Sequence, residues 1–212
     1  KFVKKFINHE CRINTELSKE NKDVLTLYGD KFVKKVHIIR TPISNILYKF
    51  SNIITLNNLE RIIDNIKQKC PDFKLYHIFC VFEIAVGENK TKFIRVDKNA
   101  SIRFRTNYNI PKDCENLSFS IKKGTKFNDL IKNTENRIGN DKFLNWNLYK
   151  NNCQNIVEEL LITIGIEKKE YDDFLVTNKY ITDFKFSELS HYGFNIIHII
   201  YVFIENYFKC DI

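Results

Sequence analysis

"KLYHIFCVFEIAVGENKTKFIRVDKNASIRF", residues 74–104, carries the clearest β signal in this 212-residue chain. Two runs rich in β-branched and aromatic residues, 74–86 and 91–104, flank the polar "GENK" at 87–90. That pattern predicts two antiparallel strands joined by a hairpin turn. His77 opens the first run, and Asp97 and Asn99 lie late in the second. Folding about "GENK" brings 97–100 opposite His77. The turn register decides which of the two faces His77, and a slip of one residue flips every side chain to the other side of the sheet.

Working outward, "VHIIRT" (36–41) reads as a strand, and Pro42 suits the first turn of a helix. Apolar residues at helical spacing predict helices over 43–54 and 57–70, the second ended by Pro71. "LSFSI" (117–121) is a third short strand, expected to join the hairpin. "TKFNDLIKNTENRI" (125–138) reads as a helix with Thr125 as cap and Gly139 as stop. "NCQNIVEELLITIG" (152–165) is the plainest helix, striped by Ile156, Val157, Leu160, Leu161 and Ile164. The expected fold is α+β: a small antiparallel sheet packed on helices, one of which begins at a cysteine. Residues 36–170 form this domain. A basic, polar N-terminal arm (1–35) precedes it, and an extension with an apolar helix (171–212) follows.

Composition narrows the function classes. The net charge is +8 and the pI about 9.1, but the lysines are spread as solvated faces. No zinc-finger spacing or aromatic RNA-binding signature accompanies them, so nucleic acid is not a supported partner. Six cysteines at irregular spacing, with no C-x-x-C pair, argue against a disulfide framework and against zinc. Reduced, intracellular thiols are expected. The run "GFNIIHIIYVFIENYF" (193–208) is interrupted by Asn195, His198 and Glu205. Its apolar part falls short of the roughly 20 residues of a membrane span. It reads as a core or interface helix, with contact at a membrane surface left open. The chain starts at Lys1 and contains no Met, so it is expected to lack its natural start.

The chemistry concentrates on Cys153. Asn151 or Asn152 can cap the helix that follows, which puts Cys153 in the first turn. There the helix dipole and the N–H groups favour a thiolate, the attacking species of a cysteine nucleophile. The bland alternative is a small apolar residue packed under the helix. His77, at a strand end, is the candidate base, and Asp97 is the choice for the group that holds its tautomer. Asp97 could instead be a strand-end carboxylate paired with Lys98 or Arg95.

His77, the "VDKN" strand (96–99), the "GTKFNDLI" helix and the segment "YKNNCQNIVEELLITIGI" (149–166) together resemble the permuted branch of the NlpC-type papain-like superfamily. Lecithin:retinol acyltransferase-like proteins belong there. The likeness is strongest to a group from large DNA viruses and spans residues 36–166. The resemblance implies a thiol hydrolase or acyltransferase. Cys153 is its nucleophile, His77 its proton shuttle, Asp97 its third member, and backbone N–H groups near Cys153 hold the oxyanion. It implies no metal or organic cofactor. The alternative is a minor capsid or virion protein that keeps the scaffold, with the arm and the apolar helix docked on protein partners. Either reading places the chain in host cytoplasm or virion.

Overall fold

The structure, a computed structural model, describes residues 14–42, 76–88, 90–99, 101–106, 108–110, 114–121, 124–145 and 151–175, with isolated positions at 64, 67 and 68. The chain divides into two units, and nearly all described residues belong to the one made of Ile13–Thr41 and His77–Val176. The helices expected at 43–54 and 193–208 lie outside the described residues. Of the helix expected at 57–70, only Asp64, Lys67 and Gln68 are described, and they are helical and exposed. Among the described residues no helix is long and apolar enough to cross a membrane.

The unit is α+β. Its elements run α1 (Lys19–Tyr28), β1 (Val33–Pro42), β2 (Tyr76–Ala85), β3 (Thr91–Lys98), β4 (Ile102–Thr106), β5 (Glu115–Ser120), α2 (Phe127–Ile138), α3 (Asn140–Leu144) and α4 (Cys153–Thr163), then two short 3₁₀ turns. The strands form one antiparallel sheet in the order β4-β3-β2-β1-β5. The hairpin is present, with Ala85 paired to Thr91 and Cys80 to Val96. The run read as one strand over 91–104 is two. The chain reverses between Lys98 and Ile102, which pair with each other as β4 runs back along β3. The "LSFSI" strand pairs with β1, not with the hairpin.

Both faces of this sheet carry apolar residues, so β2 is buried without a break from Ile78 to Phe82. On one face Ile78, Cys80, Phe82, Ile94, Val96 and Phe104 are buried with residues of the helices. Phe127 of α2 meets Phe82 and Phe104 at ring-centroid distances of 5.8 and 5.9 Å. The opposite face holds a second cluster of Ile39, Phe79 and Val81, flanked by Phe93, Tyr108 and Ile110. Alternation along each strand produces the two faces.

The described part of the expected arm, 14–35, is helix and strand within this unit. Ser18 caps α1, and Asn21 is buried against the sheet edge. Asn21 Nδ2 donates to Ile102 O at 2.9 Å, and its Oδ1 accepts from Phe104 N at 2.8 Å. The helix thus satisfies and covers the open edge of β4. Polarity hid this segment, because the residue that docks it is an asparagine.

Candidate active site

Helix α4 starts at Cys153, and its capping is complete. Asn152 Oδ1 accepts from the amides of Gln154 (2.8 Å) and Asn155 (3.3 Å), while Asn155 Oδ1 accepts from Asn152 N (3.0 Å). This is a capping box built from two asparagines. The C-terminal end is fixed by Gly165 at φ 81°, with Ile166 N donating to Leu161 O and Gly165 N to Ile162 O. Ile156, Val157, Leu160 and Leu161 are fully buried, which seats the helix, whereas Ile164 is only partly so. Asn152 is therefore the cap. Asn151 does something else: its Oδ1 accepts from Lys98 Nζ at 2.9 Å, and its Nδ2 donates to Lys142 O at 2.6 Å and to Asn145 O.

His77, Asp97 and Cys153 come together. The β2–β3 register continues from Cys80↔Val96 so that Asp97 falls opposite Phe79 and shares the face of His77, two residues away. His77 Nε2 lies 3.9 Å from Asp97 Oδ2. That is an ion-pair separation, and no hydrogen bond of good geometry reaches either atom. Asp97 is fully buried and is also held by Arg95, whose Nη2 stands 2.5 Å from the same Oδ2. The Arg95 guanidinium in turn covers the Phe79 ring at 3.9 Å and reaches Tyr108 at 5.2 Å. The pairing of Asp97 with Arg95, raised as its plain structural alternative, is thus present alongside its approach to His77. Asp97 serves two cations.

The Cys153 sulfur is the second group that acts on the His77 ring. Burial works against a charged imidazole. Asp97 and then the Cys153 sulfur outweigh it and carry the His77 pKa up to about 9. Burial likewise pushes the Cys153 thiol up, but the hydrogen bond and charge of His77, with a backbone N–H from Ile78, hold it below the ordinary thiol value. Asp97 is held below the ordinary carboxylate value: burial opposes this, and His77 and Arg95 prevail. Both shifts run in the direction that favours a thiolate beside an imidazolium. Cys153 as a residue is partly exposed.

Oxyanion donors are fewer than the sequence suggested. The cap occupies the Gln154 and Asn155 amides. Among the described residues no group of His, Cys, Asp and Glu has the arrangement of a metal site.

Sequence reading missed Lys98. Its side chain is fully buried on the helix face of the sheet, and Nζ donates to Asn151 Oδ1 and to Lys142 O. The available signal was its place in β3, where a lysine next to a core position must find partners.

No protein-family model, no curated protein and no solved structure matches this chain.

Proposed function

We propose that this chain is a cysteine-dependent hydrolase or acyltransferase acting on an amide or ester. One observation carries the reading: a single imidazole, His77, meets both the thiol at a capped helix start and a buried carboxylate. The likeness of the "NNCQN" segment and the His77 strand to permuted NlpC-type papain-like proteins supports it independently.

In this mechanism the Cys153 thiolate attacks the acyl carbon and forms a C–S bond, and the carbonyl oxygen becomes an oxyanion facing the Cys153 amide. Collapse breaks the C–N or C–O bond, and His77 gives its proton to the departing amine or alcohol. His77, now neutral, takes a proton from water or an acceptor alcohol or amine. That species attacks the thioester and releases the acyl product and the thiolate. Asp97 orients the ring throughout. Because Nε2 faces Asp97, Nδ1 is the nitrogen that exchanges protons at the sulfur. Closing the 3.9 Å gap by about 1 Å would form the orienting hydrogen bond, a tightening ordinary between resting and reacting sites.

The test is selective alkylation by iodoacetamide at pH 6, read by peptide mass spectrometry. Cys153 is expected to react at least about tenfold faster than Cys114, and His77→Ala to remove that advantage, since each pKa unit is tenfold in thiolate. Equal rates at Cys153 and Cys114 in the native protein would sink the reading.

A further inference from the structure

We propose that Lys98 is a fourth member of the Cys153 site: a buried positioning residue that ties β3 to the segment leading into α4 and whose positive charge favours the Cys153 thiolate. This rests on the reading of Cys153 as nucleophile and deepens it by naming a control on that site.

The geometry is specific. Lys98 and Asp97 are consecutive in β3 and point to opposite faces. Asp97 serves His77 on one side. Lys98 runs under the helices on the other, fully buried, with Nζ donating to Asn151 Oδ1 at 2.9 Å and to Lys142 O. Asn151 donates back to Lys142 O and Asn145 O. One ammonium and one amide therefore join the end of β3, the carbonyls at the C-terminal end of α3 and the residue directly before the cap Asn152. Carbonyls at a helix end are a favourable seat for a cation. Moving this knot would move Asn152 and with it the sulfur.

A fully buried lysine needs a reason, since packing alone is better served by Leu or Met at that position. The charged groups facing it supply one. From α3 the Asp141 carboxylate favours the ammonium, and from α4 the Cys153 sulfur does the same; opposite on β4 stands Ile102, which is uncharged. Burial is the larger influence and pulls the Lys98 pKa down to about 7. Coulomb attraction is mutual, so a thiolate that favours the ammonium is favoured by it. The sign follows. Below about pH 7 Lys98 is charged and supports the thiolate. Above it the charge is lost, and the thiolate is left less favoured, with the support of His77 alone up to about pH 9. Reactivity at Cys153 therefore carries a step near neutrality, separate from the titration of His77.

The experiment measures iodoacetamide alkylation of Cys153 against pH from 5 to 10 in the full chain, with Cys114 as internal reference. Native protein shows the step near pH 7. Lys98→Met, which keeps length and removes charge, loses the step, and below pH 7 its Cys153 reacts about three- to tenfold more slowly, though still faster than Cys114. Lys98→Arg keeps a charge that does not titrate in this range and loses the step without that slowing. Asp141→Asn leaves the buried knot in place and is expected to move the step to lower pH, which keeps the proposal testable where a Lys98 variant does not fold. A step that Asp141→Asn does not move, or profiles of Lys98→Met and native protein that superimpose, overturns the inference. A native Cys153 no faster than Cys114 overturns the reading beneath it instead.

Discussion

Two histidines stand on this sheet, each between a carboxylate and a residue that could act as a nucleophile, and they differ in an instructive way. His37, on β1, has Nε2 2.7 Å from Glu83 Oε1 on β2 and Nδ1 2.7 Å from Ser118 Oγ on β5. His77 lies 3.9 Å from Asp97 and meets Cys153. Judged by hydrogen-bond length alone, the His37 group is the better triad. Yet Ser118 Oγ also stands 3.1 Å from Asn116 Oδ1, so its one hydroxyl hydrogen has two acceptors within reach, the His37 ring and the Asn116 amide oxygen. Cys153 stands at a helix start, with the Ile78 amide on its sulfur and its acidity raised by the ring. What separates the two is the element that carries the sulfur or the hydroxyl, a capped helix start in one case and an exposed edge strand in the other, and not the tightness of the histidine–carboxylate contact. The His37 group ties three strands together; the His77 group joins the sheet to the start of α4.

Asp97→Asn tests the reactive side and should have the largest effect. The His77 pKa of about 9 rests on Asp97 and Cys153 against the pull of burial. The thiolate–imidazolium pair persists up to that value, so removing the carboxylate charge lowers the upper edge of the window. The His77 ring signals in an NMR titration should shift down by about one unit or more. Arg95, with its side chain 14% exposed, also loses the carboxylate it pairs with, and stability should fall by about 3 kcal/mol in chemical denaturation. A His77 that still titrates near 9 in this variant would mean that Asp97 belongs to Arg95 alone.

How much of this could be read in advance depended on period and register. The hairpin and α4 were legible because their apolar patterns match one element each. The choice of Asp97 needed the register, which Cys80↔Val96 supplies. The reversal between Lys98 and Ile102 was hidden because "DKNASIRF" keeps strand-like residues on both sides of it. The partnership of β5 with β1 was not in the sequence pattern, since "LSFSI" would suit either edge of the sheet. The division of labour in "NNCQN" was half visible: either asparagine could cap, and only the buried Lys98 explains why Asn151 does not.

His37→Asn tests the structural side. It removes a partner from Glu83, whose side chain is 17% exposed, and from Ser118. Leaving a mostly buried carboxylate without its donor should destabilise the unit by about 1–3 kcal/mol in thermal or denaturant unfolding. Alkylation of Cys153 at pH 6 should stay within about twofold of the native rate, because no element of the His77 group touches His37 in a way that alters the thiolate. A loss at Cys153 comparable to that of His77→Ala would erase the distinction between the two groups and make the sheet one coupled site.

Ser118→Ala gives the smallest expected change and the sharpest form of the comparison. Ser118 is exposed on an edge strand, so water can replace the lost contact to His37 Nδ1. The expected cost is about 0.5–1 kcal/mol, that of one solvent-reachable hydrogen bond. A fluorophosphonate, which reports nucleophilic serines, should leave Ser118 unmodified in native protein while iodoacetamide takes Cys153. The reason is electronic and local. A serine hydroxyl becomes a nucleophile only when a base accepts its proton in place, and at Ser118 Asn116 Oδ1 competes with the ring for that proton on an exposed edge strand. Phosphonylation of Ser118 would show that the His37 ring takes the proton, and the tighter of the two triads would then be a second reactive centre.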